Sequence, residues 1–110
     1  MEMQSLQDLF EDELKDVYNA ENQILKALPR MAKKASSRQL KDAFDMHEEQ
    51  TREHVQRLQQ VFKLMGKAAK GKTCKAMKGI VEEGKETMEE EMDPEVMDAA
   101  LIASAQRVEH

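Results

Sequence analysis

Two long stretches of this chain carry apolar residues at seven-residue intervals, and that interval restricts what they can become. Between residues 6 and 35 the rows are Phe10, Val17, Ile24, Met31 and Leu14, Glu21, Leu28, Ala35. Between 38 and 65 they are Leu40, His47, His54, Val61 and Phe44, Thr51, Leu58, Met65. A strand repeats every two residues, so these rows belong to helices, packed nearly parallel or antiparallel. Composition agrees: the 110 residues include only four glycines and two prolines, and Ala, Leu, Met, Lys, Glu and Gln dominate. The expected fold class is all-α, in a single domain over 1–110.

Local signals divide the chain into four helices. Ser5 caps the first, with Asp8 three residues on as a variant capping box, and Pro29 inside it should bend it locally. Ser36 or Ser37 caps a second helix of about 38–65, which Gly66 closes. The basic linker 67–73 reads as solvated, and a shorter third helix over about 74–90 offers Met77, Ile80, Val81 and Met88 as an apolar face. Asp93 and Pro94 then form an N-cap and N1 pair for a last helix carrying Met97, Leu101, Ser104 and Val108. "LIASAQRVEH" has no closing glycine or asparagine, so the last helix reads as cut while still running.

Charge and cysteine content exclude several function classes. The net charge of −5 arises from 17 basic and 22 acidic residues, an unfavourable balance for nucleic-acid or anionic-membrane binding. The lone Cys74 cannot form an intrachain disulfide, and no stretch is long and apolar enough for a membrane span. A cytoplasmic protein is expected. The nine methionines read as core filler, and Tyr18 as a core-edge tyrosine.

The informative irregularity is the polar middle of both stripes. If the chain reverses near Ser36 and Ser37, residue 21 lies level with residue 52, because both arms rise about 1.5 Å per residue. Glu21 then faces the Gln50 to His54 turn. A carboxylate buried against imidazoles must be paired, protonated or bound to metal. One reading is a hydrogen-bonded pair that fixes helix register, with His54 at the edge of the seam. The other is metal ligation by Glu and His from neighbouring helices, the way carboxylate-bridged metal sites are built in bundle cores.

Four blocks carry a resemblance: "LQDLFEDELKDVYNAENQILKALPRMAKKASS", "LKDAFDMHEEQTREHVQRLQQVF", "GKTCKAMKGIVEEGKE" and "DPEVMDAALIASAQRVEH". In order and spacing the chain resembles the YciE/YciF family of bacterial stress-associated proteins. The resemblance implies a ferritin-like antiparallel bundle, here lacking the family's last long helix. It also implies a dinuclear iron or manganese site. On that analogy Glu21 comes from the first helix, the His47 to His54 segment from the second, and Glu109 with His110 from the helix that in the family runs on. Glu21 with Glu49 or Glu109 would bridge or chelate the ions, and His47, His54 or His110 would be terminal nitrogen ligands, in support of oxygen or peroxide chemistry.

The chain departs from the family where it reads "HEEQT" rather than "HLEET". Glu49 is kept, Gln50 replaces a carboxylate, and Glu48 takes a usually apolar position that reads here as a solvated helix face. Gln50 offers an amide oxygen without charge, so metal binding is expected to be weak or incomplete. The alternative function is a non-enzymatic helical stress or assembly protein whose polar layer sets register and dimerisation. In either case apolar stripes without a fourth long helix over them predict a homodimer or higher self-association.

Overall fold

The computed structural model describes residues 5–109, all of them in four helices and their connections: α1 (Leu6–Lys34), α2 (Arg38–Leu64), α3 (Lys75–Glu89) and α4 (Pro94–Glu109). Each boundary has a local cause. The Ser5 hydroxyl accepts from Asp8 N at 3.1 Å, and the Ser37 hydroxyl accepts from Leu40 N at 3.3 Å, so each cap satisfies a backbone donor that its helix leaves free. Gly66, at φ 72°, closes α2: its N–H donates to Lys63 O and the next N–H donates to Phe62 O, the paired bonds of a Schellman ending. Pro29 sits inside α1, which continues to Lys34 without interruption.

α1 and α2 form a long antiparallel hairpin, and α3 and α4 lie against its turn-proximal half. The core comprises Ile24, Leu28, Met31 and Ala35 from α1 and the turn after it, Phe44 from α2, and Met97 and Leu101 from α4. α3 contributes no buried residue, although Met77 and Met88 pack against this core. Burial in α2 departs from the expected rows. Phe44 and Thr51 are buried as expected, but the seam continues through Val55 and Phe62 rather than through His54 and Val61. A straight helix drifts by about 20° per heptad, so strict sevenfold rows rotate out of the contact and residues four further on replace them. Phe62 is fully buried and meets Tyr18 edge to face, with ring centroids 5.7 Å apart.

The α1 row is buried only in part. Ile24 and Met31 lie in the core, whereas Leu6, Phe10 and Val17, on the same face, are 84%, 51% and 44% exposed. α4 descends from the α1–α2 turn and reaches Glu109 beside His47, with Val108 near Ile24. Below that level no described helix covers the row.

Two groups of polar contacts hold the smaller elements to the hairpin. The linker before α3 is strapped to α1: Lys72 Nζ lies 2.5 Å from the buried Asp12 carboxylate, Lys72 N donates to Lys15 O, and Cys74 N donates to Asn19 Oδ1 at 2.8 Å. The hydrogen bond to Asp12 holds the Lys72 pKa above its ordinary value. At the other end Asp98 of α4 accepts from Ser36 N at 2.8 Å, Ser37 N at 2.9 Å and the Ser36 hydroxyl at 2.9 Å. The backbone hydrogen bond from Ser36 leads the causes that lower the Asp98 pKa.

Two outcomes are expected. Phe62→Ala removes the largest fully buried side chain and should cost about 3 kcal/mol in urea unfolding; a loss within error would place that end of the hairpin outside the cooperative unit. Asp98 has a lowered folded-state pKa, so its contribution is fully present above the ordinary carboxylate range and disappears as the pH falls through the lowered value. Asp98→Asn should therefore lower the Tm at pH 7, with the gap to the parent closing in strong acid. A gap independent of pH would show that the carboxylate charge is not the source.

Candidate functional site

The polar mid-section of the hairpin resolves into three separate arrangements. Thr51, the one residue of the three that is fully buried, donates its hydroxyl to His47 O at 2.8 Å. Its polarity is satisfied within its own helix and needs no partner across the seam. His54 faces α1, with Nδ1 3.6 Å from Glu21 Oε2. His47 faces α4, with Nε2 2.8 Å from Glu109 Oε1.

The level of the first pair follows from the hairpin. Glu21 lies opposite a residue two beyond position 52, so the equal-arm argument places it correctly to within a turn. The depth differs from expectation. The His54 side chain is 49% exposed and that of Glu21 23%, so this pair lies at the rim of the seam. His47 is half-buried at 27% and Glu109 exposed at 59%. Neither histidine is a core residue, because α2 turns Val55 and Phe62 inward instead.

The two pairs are one heptad apart on α2, about 10 Å along the axis. Glu49 and Gln50 are exposed, and no hydrogen bond or ion pair joins either to the pairs. Glu48, beside them, is occupied by Arg52 at 2.9 Å. His110 lies outside the described residues. Among the described residues no group of three or more His, Cys, Asp or Glu side chains is placed to hold a metal ion. Two donors per pair fall short of the ligand set that a dinuclear carboxylate site uses, so these residues do not by themselves fit one. What the pairs can do is link helices: α1 to α2 through Glu21 and His54, and α2 to α4 through His47 and Glu109. Each is an ion pair when its imidazole carries the second proton.

Tyr18 accepts a hydrogen bond from Gln59 Nε2 at 3.4 Å and packs on Phe62, as a core-edge tyrosine does. Sequence reasoning missed Asp12, Asn19 and Asp98, three side chains that anchor the connections. Their partners are 60, 55 and about 62 positions away in sequence, beyond the reach of any local pattern.

Comparison with known proteins places this architecture. The chain is 40% identical to protein YciF of Escherichia coli (strain K12) over 111 residues, spanning 100% of this chain and 67% of YciF. The crystal structure of that E. coli stress protein superposes with a TM-score of 0.90, covering 98% of this chain and 69% of YciF at 40% identity. YcfI of Rhodopseudomonas palustris, described as a candidate structural protein, superposes with a TM-score of 0.94, covering 99% of this chain and 69% of YcfI at 43% identity. The chain thus spans about two thirds of the length of these relatives. Residues 5–110 match the family model DUF892, described as a domain of unknown function, and the chain belongs to that family, as a relative of YciF with the same all-α helical bundle fold.

Proposed function

We infer that this chain is a ferritin-like stress-associated helical protein whose role is assembly rather than turnover. The observation that carries this reading is the uncovered apolar row of α1. Leu6, Phe10 and Val17 continue the face that Ile24 and Met31 bury, and they remain 84%, 51% and 44% exposed. A contiguous apolar stripe beside a well-packed seam favours association, and a twofold pairing of hairpins is the commonest closed arrangement. The Glu21–His54 and His47–Glu109 pairs then set helix register and orientation. The stress-protein description of E. coli YciF and the structural description of YcfI support the same reading. A lone, partly buried Cys74 suits a reducing cytoplasm.

A second reading, weak binding of Fe(II) or Mn(II), is favoured by one observation: α1, α2 and α4 each bring a carboxylate or an imidazole to the pairs along α2. Further ligands would have to come from outside the described residues, as from a second copy. In this reading Glu21 and His54 hold the ion as one carboxylate and one imidazole.

Sedimentation equilibrium over a wide concentration range tests the assembly reading. The parent chain should form a dimer or larger species, and Phe10→Ser with Val17→Ser should shift it toward monomer; a persistent monomer of 12.6 kDa for the parent overturns the reading. Metal analysis of the purified protein and of Glu21→Ala tests the second reading, with substoichiometric iron or manganese expected in the parent and less in the variant. Unchanged metal content and affinity would remove Glu21 from any metal site. A metal-free Glu21→Leu protein more stable than the parent would favour the register pair.

A further inference from the structure

Arg30, Lys33 and Lys34 lie near the C-terminal end of α1, and Lys85 of α3 reaches the same open cleft of about 470 Å³. Among the described residues Glu89 is the one carboxylate that borders it, and Glu90 and Glu91 border the adjoining cleft on the far side of Lys33 and Lys34. None of the four cations has a carboxylate within ion-pair distance among the described residues. Cations at the end of α1 have an ordinary use, since they oppose its exposed carbonyls. That use accounts neither for Lys85 nor for the space behind it.

Arg30, Lys85 and Met88 also border a second cavity, of about 30 Å³, between α1, α3 and α4. Met31, Ile80, Val81 and Val108 make it apolar, with one exception. Ser104 is only 6% exposed, and its hydroxyl has no hydrogen-bond partner among the described residues. No side-chain oxygen among the described residues is both fully buried and unpaired, so the Ser104 hydroxyl opens into the cavity, where it can donate and accept beside an apolar wall. Gly84 faces it. A Cβ at Gly84 would stand 3.8 Å from Ser104 Cβ and 3.9 Å from its Oγ, so the missing side chain keeps the space open.

We propose that the cleft and cavity together bind a short amphipathic anion, a hydroxy- or oxo-carboxylate. Its carboxylate sits among Arg30, Lys33, Lys34 and Lys85, and its methylenes lie against Met88, which borders both the cleft and the cavity. The oxygen at its far end meets the Ser104 hydroxyl. Each part of the ligand answers a feature of the site: the clustered positive charge calls for an anion, the apolar wall for methylenes, and the unpaired hydroxyl for a terminal oxygen. The inner cavity of about 30 Å³ admits only the terminal oxygen and its carbon, so the other methylenes lie in the open cleft along Met88.

The probe is 6-hydroxyhexanoate, titrated into the intact chain and followed through backbone amide NMR shifts. Saturable shifts at the amides of Gly84, Lys85 and Ser104 are expected. 1,6-Hexanediol, which lacks the charge, and hexanoate, which lacks the terminal oxygen, should bind about tenfold more weakly. Lys85→Glu with Arg30→Glu, both at exposed positions, should abolish carboxylate binding without loss of helix content. Ser104→Ala should remove the preference for 6-hydroxyhexanoate over hexanoate. Gly84→Leu should block all three compounds, with its thermal melt showing that the fold is kept. The proposal is overturned if 6-hydroxyhexanoate gives no saturable shift, if hexanediol binds equally well, or if inorganic phosphate reproduces the same shifts.

Discussion

The apolar contact between α1 and α2 is the interaction on which the other features depend. Leu28, Phe44, Val55 and Phe62 are removed from water along the hairpin, each worth about 1.5–3 kcal/mol on full burial. α3 and α4, of 15 and 16 residues, are near the length at which isolated helices are marginal in water. α3 buries no residue of its own completely, so it gains order only by lying on a hairpin already formed. The helix-linking pairs are likewise consequences of the seam, because Glu21 reaches His54 only when the two arms run antiparallel in this register.

The polar residues in mid-stripe have different explanations, and the difference is energetic. Burying three polar groups in one seam without partners would cost more than the surrounding apolar contacts return. The chain avoids that cost by burying only Thr51, whose hydroxyl finds a carbonyl one turn back. Both imidazoles are turned to the rims, where water still reaches them and a carboxylate from another helix lies close. A rim pair adds orientation and little stability, which suits linking helices better than holding a core together.

Much of the helical architecture was legible in the sequence because its signals are local. Ser5 with Asp8, Ser37 and Gly66 mark helix ends through bonds between residues five apart or fewer, and Pro94 marks one by its fixed φ. The level of Glu21 against α2 was legible for a similar reason, since it needs only a turn position and the helical rise. Burial was harder to read. Phe10 and Val17 have the same spacing as Ile24 and Met31, and only the reach of α4 decides which of them are covered. His54 and Val55 are neighbours in sequence, and the gradual drift of the heptad decides which one faces the core. Of the site residues read from the sequence, the structure joins Glu21 to His54 and His47 to Glu109, and leaves Glu49 and Gln50 in solvent.

Asp98 shows how one unanticipated contact positions part of that site. α2 has no acidic residue in its first turn, so its partly positive N-terminal end lacks the charge that usually stabilises it. Asp98 supplies that charge from another helix, accepting from Ser36 N and Ser37 N just ahead of α2. The contact fixes both the position and the direction of α4 at the top of the hairpin. From Asp98 the helix descends about 16 Å to Glu109 at the α-helical rise. The same number of residues carries α2 from Arg38 down to Glu49, just past the level of His47. α4 runs parallel to α2, so with its upper end held by Asp98, Glu109 arrives within a turn of His47. The capping contact and the His47–Glu109 pair are therefore two ends of one rigid element, and the first sets the register of the second.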